Sequence, residues 1–175
     1  MPSDPYVLIR RAQFVMADGT MPGALGDFGR ALAVLNKGGT AAAVFDRPVR
    51  TLYADALIGQ AIALQSLAAG QIAKAYAASE ALSNQQRVAI LDNADDLVER
   101  GLKSIGQAQR HDPSALAVGI ELALYLERYA IAKPVMSEAE RAQFIDALRK
   151  IATNGIRQFP RNDEVYGARA LMLFT

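Results

Sequence analysis

Helical spacing of apolar residues runs through almost the whole chain, and no stretch sustains the apolar–polar alternation of a strand. Ala and Leu, both strong helix formers, dominate the periodic segments. Turn chemistry sits between those segments: Asp18-Gly19, Asn36-Lys37-Gly38-Gly39, Asp46-Arg47-Pro48, Ser83-Asn84, Asp112-Pro113, Lys133-Pro134 and Phe159-Pro160. The pattern predicts an all-α fold of seven helices, at about 5–17, 22–36, 48–80, 84–111, 114–132, 138–158 and 163–174. Asp4 is placed to cap the first, and Pro5 suits its first turn because the missing N–H there has no partner to lose. Ser83 with Gln86, and Ser137 with Glu140, have the spacing of reciprocal capping boxes. Gly59 and Gly70 are expected to weaken the long third helix. In the loop over 37–47 the apolar pair Val44-Phe45 is expected to tuck into the core.

A chain of 175 residues, 51% hydrophobic, can bury one continuous core, so 1–175 reads as a single domain or a short repeat array. A net charge of +1 and a pI near 8.0 argue against an electrostatic claim on nucleic acid. The absence of cysteine removes disulfides, zinc thiolates and cysteine nucleophiles. The beginning MPSDPYVLIRR lacks the basic and apolar regions of a secretory signal, which predicts a cytoplasmic protein, or a periplasmic one if the chain is processed or trimmed. The most apolar run, Ala56–Gly70, is interrupted by Gln60 and Gln65, so no membrane insertion is expected.

The residues over 5–36 carry a more specific pattern. Small Ala12, Ala24 and Ala31 recur where two paired helices would touch, and Phe28 stands where a large anchor is needed. Leu8 and Val15 complete the first helix of the pair. This spacing resembles a tetratricopeptide repeat, a helical hairpin that stacks on copies of itself. Departures are visible too: Arg11 replaces the usual leucine, and Asn36 the closing proline. Weaker echoes keep the register. Gly101, Ile105, Ala108 and Pro113 repeat the second-helix spacing, and Leu122, Ala123 and Leu126 the first. Leu148, Ala152, Gly155 and Pro160 follow, then Tyr166, Ala170 and Leu173; Leu57, Ala61 and Leu64 are the candidates for the second hairpin. The later hairpins are longer than the family's. The resemblance implies an α-solenoid of about three antiparallel hairpins plus a C-terminal helix.

No catalytic constellation emerges. His111 is the sole histidine and falls at a helix end, which suits a surface or capping role through the helix dipole. Asp92, Asp95, Asp96 and Glu99 could hold a cation, but Asp96–Arg100 and Glu99–Lys103 have the i,i+4 spacing of a solvated face. Gly23, Gly26 and Gly29 lack the preceding strand of a dinucleotide site and read as close helix packing. Gly38-Gly39-Thr40 lacks the lysine of a phosphate loop and reads as a helix stop. Arg10, Arg11, Arg47 and Arg50 lack the aromatics of a nucleic-acid surface. No enzyme activity, metal or cofactor is expected.

In the family, partner peptides lie along the inner faces of the first helix of each hairpin. The matching positions are Tyr6, Ile9, Gln13 and Met16; then Asp55, Ile58, Ile62 and Gln65; then Ile120, Leu124, Glu127 and Arg128. This lining is largely apolar and lacks the Lys and Asn of the family's carboxylate-holding members. The resemblance therefore implies a protein or peptide partner, bound by a non-enzymatic adaptor or assembly subunit of bacterial type. A second expectation is a helical protein enclosing an apolar small molecule or lipid. The apolar end Ala170, Leu171, Met172, Leu173 and Phe174 predicts self-association through the C-terminal helix, or a continuation of the array.

Overall fold

Local signals set the helix ends. Asp4 accepts from the backbone N–H groups of Tyr6 and Val7 and opens α1, Pro5–Ala17. Gly19, at φ 79°, turns the chain into α2, Met21–Asn36, which stops at Gly38, at φ 70°. The third helix, α3, covers Val49–Ala77. Both capping boxes form, Ser83 with Gln86 and Ser137 with Glu140, and open α4, Asn84–His111, and α6, Glu138–Gln158. Between them lies α5, Ala115–Ala132, capped by Ser114, whose hydroxyl accepts from the Ala117 N–H. The computed structural model describes residues 4–38, 48–77 and 82–161. The Val44-Phe45 loop, the end of the third helix beyond 77, and the last expected helix at 163–174 lie outside the described residues. Among the described residues the protein is all-α, with six helices.

Side-chain pairings fix how the helices run. Arg11 reaches Asp27 across α1 and α2, and Thr51 donates to Asp112 across α3 and α4 at 3.1 Å. Tyr125 and Phe144 meet edge-on across α5 and α6 at 6.4 Å. Each of these three hairpins is therefore antiparallel. By contrast, α3 and α5 run side by side in the same direction, joined by Gln65–Glu127 and Tyr76–Ala130. Among the described residues, all closely packed pairs of helices lie within two positions of each other in chain order.

Three clusters of buried residues fill the joints. Leu8, Ile9, Ala12, Ala24, Phe28 and Ala31 join α1 and α2 to the start of α3. Leu57, Ile58, Ala61, Val98, Ile105 and Leu124 join α3, α4 and α5. Val118, Leu122, Leu148 and Ala152 join α5 to α6. Of the alanines singled out in the sequence, Ala12, Ala24, Ala31, Ala61, Ala108 and Ala152 are fully buried, whereas Ala123 is half-buried.

Two glycines act as sockets. A Cβ on Gly59 would stand 2.3 Å from Phe28 Cζ, so the ring of α2 lies directly on the α3 backbone. A Cβ on Gly101 would stand 2.7 Å from Leu124 Cδ2, so α5 seats on α4 in the same manner. The expectation that Gly59 only weakens α3 is corrected: the missing side chain is what admits Phe28. Close packing at the glycine row of α2 holds at Gly23 alone, where a Cβ would meet Val15 at 3.2 Å; Gly26 and Gly29 face open space.

By length and composition alone α3, Val49–Ala77, is long and apolar enough to cross a membrane, and half of its apolar window is buried inside the molecule.

Candidate functional site

The twelve inner-face positions divide into three groups. Ile9, Ile58 and Leu124 are buried, at 2%, 7% and 0% exposure, and belong to the core. For these three the expectation of a partner surface is corrected. The 3.6-residue stripe was placed rightly on its helix, but a neighbouring helix covers it. Leu124 fills the Gly101 socket, Ile9 packs within the α1–α2 cluster, and Ile58 within the central one.

A second group remains half-buried: Tyr6, Gln13 and Met16 on α1, Asp55, Ile62 and Gln65 on α3, and Ile120 and Glu127 on α5. These three helices are neighbours in space, because α1 packs on α3 and α3 on α5. Arg10 stands 5.1 Å from the Tyr6 ring centre and donates to Gln13 Oε1 at 2.9 Å. Ile62 and Ile120 rest on the central core with part of each side chain outside it. One turn beyond Ile62, Gln65 Nε2 donates to Glu127 Oε1 at 2.9 Å. Burial pushes the Glu127 carboxyl above the usual carboxylate range, and the Gln65 hydrogen bond partly opposes that rise.

Arg128 forms the third group. One residue beyond Glu127 on the helix, it turns towards α4, where its Nε lies 3.4 Å from Asp95 Oδ1. There it helps line a surface cleft of about 360 Å3 between the first half of α4 and the last turns of α5. Val88, Leu91, Ile131 and Val135 form the apolar part of that cleft, and Asp92 and Asp95 its acidic rim. Sequence reasoning missed this cleft. Its acidic residues are visible in the sequence, but the aliphatic ones come from α4, the end of α5 and the turn after it, and only the fold brings them together.

The remaining candidates find ordinary places. His111 stacks on Tyr53 with ring centres 4.8 Å apart and planes 11° apart. Tyr53 in turn donates to Asn36 Oδ1 at 2.5 Å, so the end of α2, the start of α3 and the end of α4 meet at one ring. Asp96 pairs with Arg100 at 3.5 Å on the exposed side of α4. Arg11 is drawn to Asp27, which is 3% exposed and held by Arg30 as well. The hydrogen bonds from Arg11 hold the Asp27 carboxyl below its ordinary range, against the opposing effect of burial. Arg11, which stands at the family's leucine position, thus makes an ion pair across the first hairpin. Among the described residues no group of three His, Asp or Glu side chains is placed to hold a metal ion.

Compared with known proteins, the chain matches no family model, no curated protein and no solved structure.

Proposed function

We propose that the chain is a tetratricopeptide-like helical-hairpin protein that acts without catalysis, as an adaptor or assembly subunit. It binds a protein partner along the first helices of its hairpins, α1, α3 and α5. The observation that carries this reading is that α1, α3 and α5 pack in series and each leaves inner-face side chains half-buried. Met16, Ile62 and Ile120 are the aliphatic ones, and Gln13, Gln65 and Glu127 carry hydrogen-bonding groups. Half-exposed aliphatic side chains flanked by amides suit a peptide or helix laid across several helices. The buried small-residue register and the pairing of each helix with its near neighbours in the chain support the repeat reading.

The same reading makes α3 the spine of a water-soluble domain. Its Gln65 bonds to Glu127, and the Ser104 hydroxyl donates to Gln60 Oε1 at 3.0 Å. The cleft between α4 and α5 opens on the surface and mixes polar with apolar lining, so an enclosed apolar ligand is not carried further.

A photo-crosslinking side chain placed at Ile62 or Ile120 tests the proposal. The expected result is a shared protein adduct from both positions and none from Lys150 on the exposed side of α6. The reading fails if neither position captures protein while the purified chain turns over a small molecule.

A further inference from the structure

The α4–α5 cleft lies apart from the face shared by α1, α3 and α5, and its chemistry is different. Its aliphatic lining is unusually open to water: Val88 is 56% exposed and Val135 86%. Leu91 and Ile131 continue the apolar floor between them. Val88, Asp92, Asp95 and Glu99 follow one another at four-, three- and four-residue steps, so they share one side of α4. Two of these carboxylates, Asp92 and Asp95, line the cleft beside its apolar floor. Arg128, the cation lining the cleft, is already engaged by Asp95 at 3.4 Å. An isolated acidic face would be a solvated surface, and an isolated Val135 an accident of a turn. Together they form a groove with a greasy floor and a negative edge.

We propose that this cleft docks a basic amphipathic helix from a protein partner. The partner lays aliphatic residues on Val88, Leu91, Ile131 and Val135, and sets lysine or arginine one turn away against the exposed Asp92, while Asp95 keeps its pairing with Arg128. Such an arrangement is helix-in-groove recognition with charge selecting the partner. An anionic lipid surface is repelled by the same edge. A second copy of this chain fits less well. The basic cleft on α6, with Arg149, Lys150 and Arg157, is lined by Thr153 and Asn154 where aliphatic side chains would be needed. The outer side of α1 does expose Val7 and Phe14, but Arg10 beside them is held by Gln13 and Tyr6.

The probe is a synthetic amphipathic helical peptide of about four turns, with leucine on one face and lysine on the other. Its control carries glutamate in place of every lysine. Binding to the full chain is read by fluorescence anisotropy at low and high salt. The lysine peptide is expected to bind, and to bind less tightly as salt rises. Asp92→Lys, and separately the pair Val88→Ser with Val135→Ser, are each expected to weaken it roughly tenfold. All three positions are exposed, so helicity and melting temperature should stay at their original values, which separates lost docking from lost folding. Equal binding of the glutamate peptide overturns the proposal, as does unchanged affinity after Asp92→Lys. If the chain alone forms oligomers that the same substitutions dissolve, the cleft belongs to a second copy and the proposal is likewise overturned. Neither substitution touches Ile62 or Ile120, so this test and the crosslinking test fail independently.

Discussion

Two carboxylates respond to burial in opposite ways. Asp27 is buried and clasped by Arg11 and Arg30, and its carboxyl sits below the usual range. A depressed folded-state value means stability that is full above the unfolded value and lost as pH falls through the folded one. Glu127 is half-buried beside one amide, and its carboxyl sits above the usual range. The folded state then holds the proton more tightly than the unfolded state, so stability rises as pH falls through the folded value. Asp27→Asn should therefore lower the melting temperature at neutral pH, by the equivalent of about 1.5–3 kcal/mol for lost charged hydrogen bonds. Glu127→Gln should raise it slightly, since the amide oxygen can still accept from Gln65. Both differences should shrink towards acid pH, where the wild-type carboxyls are themselves neutral. Melting curves over a pH series check both signs, and a pH-independent effect at either position contradicts the account.

At the scale of elements, the joints matter more than the helices. In an exposed helix, Gly→Ala gains up to about 1 kcal/mol. At Gly59 the new methyl would meet a fully buried ring, and overpacking of that kind costs about 1–3 kcal/mol. Gly59→Ala should thus destabilise the protein, while Gly59→Ala with Phe28→Leu should recover part of the loss. Denaturant titration of the single and double variants decides it: a stabilised single variant would show that α2 and α3 can part without cost. This joint also marks the limit of what could be read in advance. Helix ends were legible because caps and turn residues act within a few positions, as Asp4, Ser83 and Ser137 show. The buried alanines were legible from their spacing. Which neighbour a stripe faces was not, because a third helix decides it. Hence Ile9, Ile58 and Leu124 look like surface in the sequence but are buried, and Arg128 turns towards Asp95 of α4.

Across the whole molecule, packing passes from each helix to its near neighbours in the chain. Stability in such an architecture need not be shared evenly, because each hairpin is held by its own joints. Among the described residues the central joint gathers buried residues from α3, α4 and α5, whereas α6 is held through one smaller cluster against α5. Native-state hydrogen exchange should therefore find the α6 amides opening first, with protection at least roughly tenfold below that of α3 and α4. Uniform protection across all six helices would mean that the hairpins unfold as one unit.

The stack of His111 on Tyr53 has a practical consequence. The chain contains a single histidine and no tryptophan. The imidazole protons give a signal that needs no assignment, and a tyrosine ring facing them at 4.8 Å displaces that signal by its ring current. The knot that ties the first hairpin to the second is thus its own spectroscopic reporter. Any ligand, load or substitution that pries α2, α3 and α4 apart can be followed in unlabelled protein, at one resonance.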